Sequence, residues 1–272
     1  MAIKIAVVNE SKNNETRVAV VPEIAQKLSS NNVTFSIEKN SGAASGFLDA
    51  DYPENACSFF DVASEALKDA DVLFKVNPPT SEEIGYMKKG ALAVSYMSPF
   101  QSGELIKNMA SSGIDAFSVE LIPRISRAQS MDALSSQASI AGYKAVILAA
   151  NNANKFFPML TTAAGTVRPA QTLIVGAGVA GLQAIATAKR LGSRVIAFDV
   201  RSSTKEQIES LGAQFLDTGI TAEGEGGYAR ELSAEELKTQ KEALSKAIGQ
   251  SDIVITTAAV PGKPAPKLID RN

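Results

Sequence analysis

Residues 172–199 read TLIVGAGVAGLQAIATAKRLGSRVIAFD, and this stretch decides the fold. The apolar run Thr172, Leu173, Ile174, Val175 enters the turn Gly176-Ala177-Gly178-Val179-Ala180-Gly181. A helical pattern follows to Leu191, then Gly192, a second run from Arg194 to Phe198, and the acid Asp199. Strand, glycine turn, helix, strand and acid is the order of a dinucleotide-binding βαβ unit, with the acid near the ~20 residues downstream that such a unit requires. Gly176 allows the tight turn, Gly178 lets a pyrophosphate approach the backbone, and Gly181 lets the helix pack close to the strand. Free N–H groups at the helix start face the phosphates, and Ala177, Val179 and Ala180 count with the three glycines as coenzyme-binding residues.

A bare GxGxxG is weak evidence; the flanking strands and Asp199 make it specific. A carboxylate at 199 accepts hydrogen bonds from the adenosine ribose and repels a 2′-phosphate, so the coenzyme is expected to be NAD(H) rather than NADP(H). Val200 and Arg201 follow it and count as coenzyme neighbours. The Arg201 charge suits a phosphate in principle, but its plainer reading is a solvated loop arginine near the adenine edge.

The rest of the composition narrows the field. A chain of 272 residues suggests about two domains. Its 45% hydrophobic and 21% charged residues are an ordinary globular balance, and a net charge of −2 offers no basic stripe for nucleic acid or anionic lipid. One cysteine, Cys57, excludes an internal disulfide framework or a CxxC metal site and reads as a small buried or half-buried residue. No metal site is expected. Residues 1–10 read as a short strand rather than a signal peptide, and no apolar run approaches the ~20 residues needed to span a bilayer. The expectation is an intracellular protein. Histidine is absent, which removes the commonest general acid or base near neutral pH.

Short apolar strands at 3–8, 34–38, 72–76, 91–96 and 115–119 alternate with helical runs at 22–29, 56–70, 81–88 and 102–111. That rhythm predicts an α/β architecture: two Rossmann-like, doubly wound parallel sheets with helices on both faces. Residues 130–150 read as one long linking helix, with Met131, Leu134, Ala138, Ala141, Ala145 and Leu148 on its apolar face. The expected division is 1–128, a linker and connection over 129–165, and a coenzyme domain over 166–272. In the latter, 213–216 is a third strand. Residues 217–232 form a glycine-rich loop in which Tyr228 either closes over the nucleotide as part of a lid or is merely exposed. Ser233-Ala234-Glu235-Glu236 is a capping box opening a helix that buries Leu237, Leu244 and Ile248. A strand at 252–257 precedes a Pro/Gly-rich loop starting at Ala258, beyond a carboxyl end where the nucleotide crevice lies. A dinucleotide sheet usually has six strands, and four are counted here, so the second domain reads as truncated or completed by another polypeptide.

The segment Pro123-Arg124-Ile125-Ser126-Arg127-Ala128-Gln129-Ser130-Met131-Asp132-Ala133-Leu134-Ser135-Ser136-Gln137 carries a further resemblance. With Arg17-Val18-Ala19, Gly42-Ala43-Ala44-Ser45-Gly46-Phe47, the 175–192 run, Tyr228 in its loop and Pro261-Gly262-Lys263-Pro264-Ala265-Pro266, it resembles the NAD(H)-binding domain I of proton-translocating nicotinamide nucleotide transhydrogenases. The resemblance implies NADH held by this chain, NADP(H) on a partner domain III and a membrane domain II that couples hydride transfer to proton translocation. It implies a homodimer peripheral to the inner membrane (on the matrix side in a eukaryote); no nucleic-acid partner is expected, from the net charge of −2. Arg124, Gln129, Asp132 and Ser135 are then the residues that orient the dihydronicotinamide and meet the partner. Taken singly, each has a duller reading as a loop, cap or packing residue.

The related alanine dehydrogenases use an arginine, a lysine and a histidine in the first domain and a late aspartate. Arg17 and Lys75 stand in the expected places, Tyr96 lies where the histidine would be, and Asp270 is only roughly placed. An amino-acid oxidation site is therefore incomplete, and Arg17 and Lys75 read more simply as structural or solvated charges. The alternatives carried forward are an alanine dehydrogenase-like oxidoreductase and a non-catalytic NAD-binding module.

Overall fold

The computed structural model describes residues 2–222, 230, 232–259, 265 and 267–269. The chain divides into two compact units, Met1–Ala133 and Leu134–Asn272. In the first, the elements are β1 (Ile3–Val7), α1 (Pro22–Ser29), β2 (Val33–Glu38), β3 (Cys57–Phe60), α2 (Ala63–Leu67), β4 (Val72–Phe74), α3 (Ser81–Tyr86), β5 (Leu92–Ser95), α4 (Gly103–Ser112) and β6 (Asp115–Ser118). The strands form a six-stranded sheet in the order β3-β2-β1-β4-β5-β6, every pairing parallel. Strand β1 alternates: Ile5 and Val7 pack with Phe35, Ile37 and Ala25 of α1, while Ala6 and, just past the strand, Val8 pack on the other face with Leu67, Ala70 and Leu73. A sheet buried on both faces is what the apolar strands call for. Helix α1 opens with Pro22 in its first turn, where a missing N–H costs nothing. Helix α3 opens with a Thr80–Glu83 capping box, at 3.2 Å from Glu83 N–H to Thr80 Oγ1 and 2.7 Å in return.

The second unit carries α5 (Ala133–Asn152), β7 (Leu160–Thr162), β8 (Gly165–Val167), β9 (Gln171–Val175), α6 (Val179–Arg190), β10 (Arg194–Phe198), α7 (Thr204–Ser210), β11 (Gln214–Phe215), α8 (Ala234–Gly249) and β12 (Ile253–Thr256). Strands β11-β10-β9-β12 form a four-stranded parallel sheet in that order. Ile174, Ala197, Ile185 and Ile208 pack with Val146 of α5 in one core; Leu173, Val175 and Phe198 pack with Leu244 and Ala247 of α8 in another. Both sheets thus have the doubly wound α/β architecture that the alternating pattern predicts. Among the described residues, no helix is long and apolar enough to cross a membrane.

Several local expectations need correction. The helical run at 56–70 is a strand, β3, followed by the short α2: the aromatic pair Phe59-Phe60 pairs with Ile37 and Glu38 of β2. The linking helix begins at Ala133, not 130, because Ser126–Met131 winds as a 3-10 helix. Its apolar stripe is also displaced: Met131 and Leu148 are exposed, whereas Gly142 and Val146 are buried. In α8, Leu237 is exposed and Gln240 takes its place on the buried face, one turn before Leu244. The connection before the coenzyme domain holds an antiparallel hairpin, β7–β8, and α7 fills an interval without an expected element. Cys57 is buried, and that burial pushes its thiol up to about 11.

Candidate functional site

The glycine turn joins β9 to α6. Gly176 has φ +101, in the left-handed region that favours glycine. A Cβ there would also lie 2.8 Å from the Ala258 nitrogen. At Gly181 a Cβ would collide with the Gly176 carbonyl oxygen, so the first turn of α6 lies directly on the glycine turn. Thr257, just past β12, locks the arrangement: its N–H reaches the Val175 carbonyl at 2.8 Å, and its hydroxyl donates to Val175 and Gly176 at 3.3 and 3.0 Å.

Gly178 is different. It is the N-cap of α6 and has no side chain to cap the helix, and among the described residues a Cβ added there would meet nothing within 4 Å. The first intrahelical bond is Leu182 N–H to Gly178 O at 2.8 Å, so the N–H groups of Val179, Ala180 and Gly181 have no carbonyl ahead of them in the helix. An open backbone face at the positive end of a helix fits a pyrophosphate, in both shape and charge. Gly178 and Val179 are exposed and Ala177 is buried beneath them.

Asp199 directly follows β10 and is 9% exposed. Its carboxylate accepts from Ala177 N–H at 2.7 Å, tying the acid to the glycine turn. It also accepts from the Arg201 backbone N–H at 3.0 Å and from Arg201 Nε and Nη2, both at 2.8 Å. Burial opposes ionisation of Asp199, but the Arg201 guanidinium and the two backbone N–H groups outweigh it and hold the carboxyl below its ordinary range. Arg201 is therefore not the solvated loop arginine expected: its side chain is 23% exposed and ion-paired. The carbonyl of Val200 accepts from the fully buried Ala222 at 2.8 Å, which fastens the start of the following loop to the end of β10. Gly176, Ala177, Gly178, Val179, Ala180, Gly181, Asp199, Val200, Arg201 and Ala258 thus gather at the carboxyl edge of the four-stranded sheet. Tyr228, most of the Pro/Gly-rich loop after Ala258, and Asp270 lie outside the described residues.

The first unit holds most of the other motif. Arg124 and Gln129 are exposed, Gln129 within the Ser126–Met131 3-10 helix. Asp132 caps that helix, its N–H reaching the Gln129 carbonyl at 3.2 Å. Ser135 stands in the first turn of α5, half-buried, and falls in the second unit.

Two residues without a sequence signal hold these segments. One is Thr257. The other is Glu120, whose carboxylate accepts from Met97 N–H at 3.0 Å, from Ser98 N–H at 2.6 Å and from the Ser118 hydroxyl. Burial opposes its ionisation, yet these donors together lower its carboxyl below the usual value. Glu120 so pins the turn after β5 to the chain that leads into Arg124. Arg17 and Lys75 are each tied to a carboxylate, Glu15 at 2.8 Å and Glu83 at 2.7 Å, and the Tyr96 hydroxyl is buried without a hydrogen-bond partner among the described residues.

Comparison with known proteins also divides the chain in two, a few residues further along. The family described as alanine dehydrogenase/PNT, N-terminal domain, matches residues 6–141, and alanine dehydrogenase/PNT, C-terminal domain, matches residues 145–272. An NAD(P) transhydrogenase subunit alpha chain of Rickettsia prowazekii is 46% identical over 273 residues, covering 98% of this chain and 71% of that protein. The solved transhydrogenase from Sinorhizobium meliloti superposes with a TM-score of 0.86 at 42% identity, over 98% of this chain and 73% of that one. A solved L-alanine dehydrogenase shares the fold, with a TM-score of 0.80 at 24% identity over 98% and 69% of the two chains.

Proposed function

The chain belongs to the alanine dehydrogenase/PNT family, and from that membership we propose that it is the NAD(H)-binding component of a proton-translocating nicotinamide nucleotide transhydrogenase. A bound NADH supplies a hydride, destined for NADP⁺ on a separate domain III. The observation that carries the coenzyme side of this reading is the backbone at Gly178, the glycine N-cap of α6, open among the described residues.

The chain's own residues have three tasks. The 176–181 turn receives the pyrophosphate through N–H groups at the start of α6. Asp199 receives the adenosine ribose and disfavours a 2′-phosphate. Arg124, Gln129, Asp132 and Ser135 orient the dihydronicotinamide: Arg124 with forked donors, Gln129 with a donor and an acceptor, Asp132 with an acceptor for an amide NH₂, Ser135 with a hydroxyl. Position, with reacting carbons about 3–3.5 Å apart and water excluded, is what the reaction asks of the protein. Direct hydride transfer between two nicotinamides moves no proton, so a chain without histidine lacks nothing for that step. A membrane domain II couples the exchange to proton translocation, and the chain works as a homodimer beside that membrane.

The amino-acid dehydrogenase alternative is less favoured, because Arg17 and Lys75 are already paired with Glu15 and Glu83. The test is to add an NADP⁺-loaded domain III to this chain and follow NADH-dependent reduction. Reduction on mixing, with no NADH oxidation by this chain plus pyruvate and ammonium, is expected. The opposite pair of results would favour the dehydrogenase, and NADH binding without either reaction would leave a binding module.

A further inference from the structure

Asp199 and Arg201 stand two residues apart beyond the carboxyl end of β10, and their side chains meet in a two-pronged contact. Arg201 Nε donates to Asp199 Oδ1 at 2.8 Å and Nη2 donates to Oδ2 at 2.8 Å. The same carboxylate takes the Arg201 backbone N–H on Oδ1 at 3.0 Å and the Ala177 N–H on Oδ2 at 2.7 Å. Among the described residues, four donors therefore meet a group with about four lone-pair sites. The two backbone bonds belong to the chain turn and to the glycine turn. A ribose hydroxyl reaches this carboxylate by taking the place of a guanidinium prong or by sharing an oxygen with it.

The guanidinium also stands beside the acid that meets the ribose 2′-position in units of this kind, where an arginine serves coenzymes carrying a 2′-phosphate. Its planar fork matches a phosphate as well as a carboxylate. Its side chain keeps a solvent face, at 23% exposure against 8% for the Asp199 side chain.

We propose that Arg201 is a latent receptor for a 2′-phosphate, restrained by Asp199, so that the ion pair rather than the acid alone sets which coenzyme this chain accepts. The proposal rests on the 176–181 turn being a dinucleotide site. An amide at 199 keeps an acceptor for the Ala177 N–H, so the turn stays tied to β10. It removes the Asp199 charge, which both pairs with the guanidinium and repels the phosphate. Neutralising Asp199 then inverts the preference instead of erasing it.

The test uses the full chain as wild type, Asp199→Asn, Arg201→Gln and the double variant. Each is titrated with NADH, NADPH, 5′-AMP and adenosine 2′,5′-bisphosphate, the last two differing only in the 2′-phosphate. Wild type is expected to favour NADH by about tenfold or more, and Asp199→Asn to favour NADPH and the bisphosphate by a similar factor. That new preference shrinks as salt rises and disappears in the double variant. In the wild-type background, Arg201→Gln weakens NADPH more than NADH, which carries the test should Asp199→Asn fail to fold. Four results would overturn the proposal: no gain for the 2′-phosphorylated ligands in folded Asp199→Asn, a full gain kept in the double variant, Arg201→Gln weakening NADPH no more than NADH, or wild type preferring NADPH. Failure of wild type to bind any of the four ligands would instead remove the dinucleotide reading on which the proposal stands.

Discussion

Gly178→Ala separates the folding of the glycine turn from its ligand. Gly178 has φ −77 and ψ −168, extended backbone that alanine adopts, and among the described residues the added Cβ meets nothing within 4 Å. Losing a glycine from the unfolded chain stabilises by about 0.4–1 kcal/mol. Alanine is a poorer N-cap than glycine, which costs roughly 0.5–1 kcal/mol. The two offset, so folding stability moves by less than about 1 kcal/mol and Tm by no more than about 4 °C. The new methyl, however, occupies the face that a pyrophosphate must approach. Losing one charge-assisted hydrogen bond from the turn is worth about 1.5–3 kcal/mol, or about 10- to 150-fold in NADH affinity. Gly181→Ala is the contrasting case. Its Cβ drives into the Gly176 carbonyl and lies 2.9 Å from Thr257 Oγ1, an overpacking worth about 1–3 kcal/mol of stability. Thermal unfolding and NADH fluorescence titration of both variants read the two effects separately. Full NADH affinity in Gly178→Ala, or a loss of stability matching that of Gly181→Ala, would contradict the role given to Gly178.

Three further outcomes are expected. Thr257→Val keeps the shape of the side chain but removes its hydroxyl bonds to Val175 and Gly176; chemical denaturation should show a loss of about 1 kcal/mol, and an unchanged midpoint would mean the lock is unimportant. Hydrogen bonding from Arg17 lowers the Glu15 carboxyl from 4.5 to about 2, so its contribution is complete above 4.5 and fades as pH falls toward 2. Glu15→Gln should flatten the acid limb of the urea-midpoint profile in that window, and an unaltered limb would remove Glu15 from the acid response. Gln129→Asn withdraws the amide by one methylene; with domain III present, hydride transfer should slow much more than NADH affinity falls, whereas a loss of affinity alone makes Gln129 a binding residue only.

The glycine turn was legible because its requirement is local: three glycines at fixed spacing, an apolar strand before and an acid after. The parallel sheets followed from the alternation of apolar runs with helical ones. What escaped was structure set by tertiary neighbours. Strand β3 is four residues long and gains its strand character by pairing with Phe35–Glu38, information absent from Cys57–Phe60 itself. The β7–β8 hairpin turns through Ala163 and Ala164, without the Asn-Gly or Asp-Gly pair that marks such turns. Helix α5 is apolar on most faces, so no polar contrast shows which side is buried. In α8 the buried face includes Gln240, which a pattern of apolar residues cannot reveal. Asp199 was visible as an acid; its pairing with Arg201 and Ala177 depends on rotamers and on the packing of the turn.

Hydride is expected to pass straight from a coenzyme on this chain to one on a partner domain. The direct measurement uses NADH deuterated at the transferred C4 position, mixed with this chain and NADP⁺-loaded domain III, with the product examined by mass spectrometry. All of the label is expected on the 2′-phosphorylated coenzyme, with none released to water. Label appearing in the solvent, or reaching an amino acid formed from added 2-oxo acid and ammonium, would contradict it.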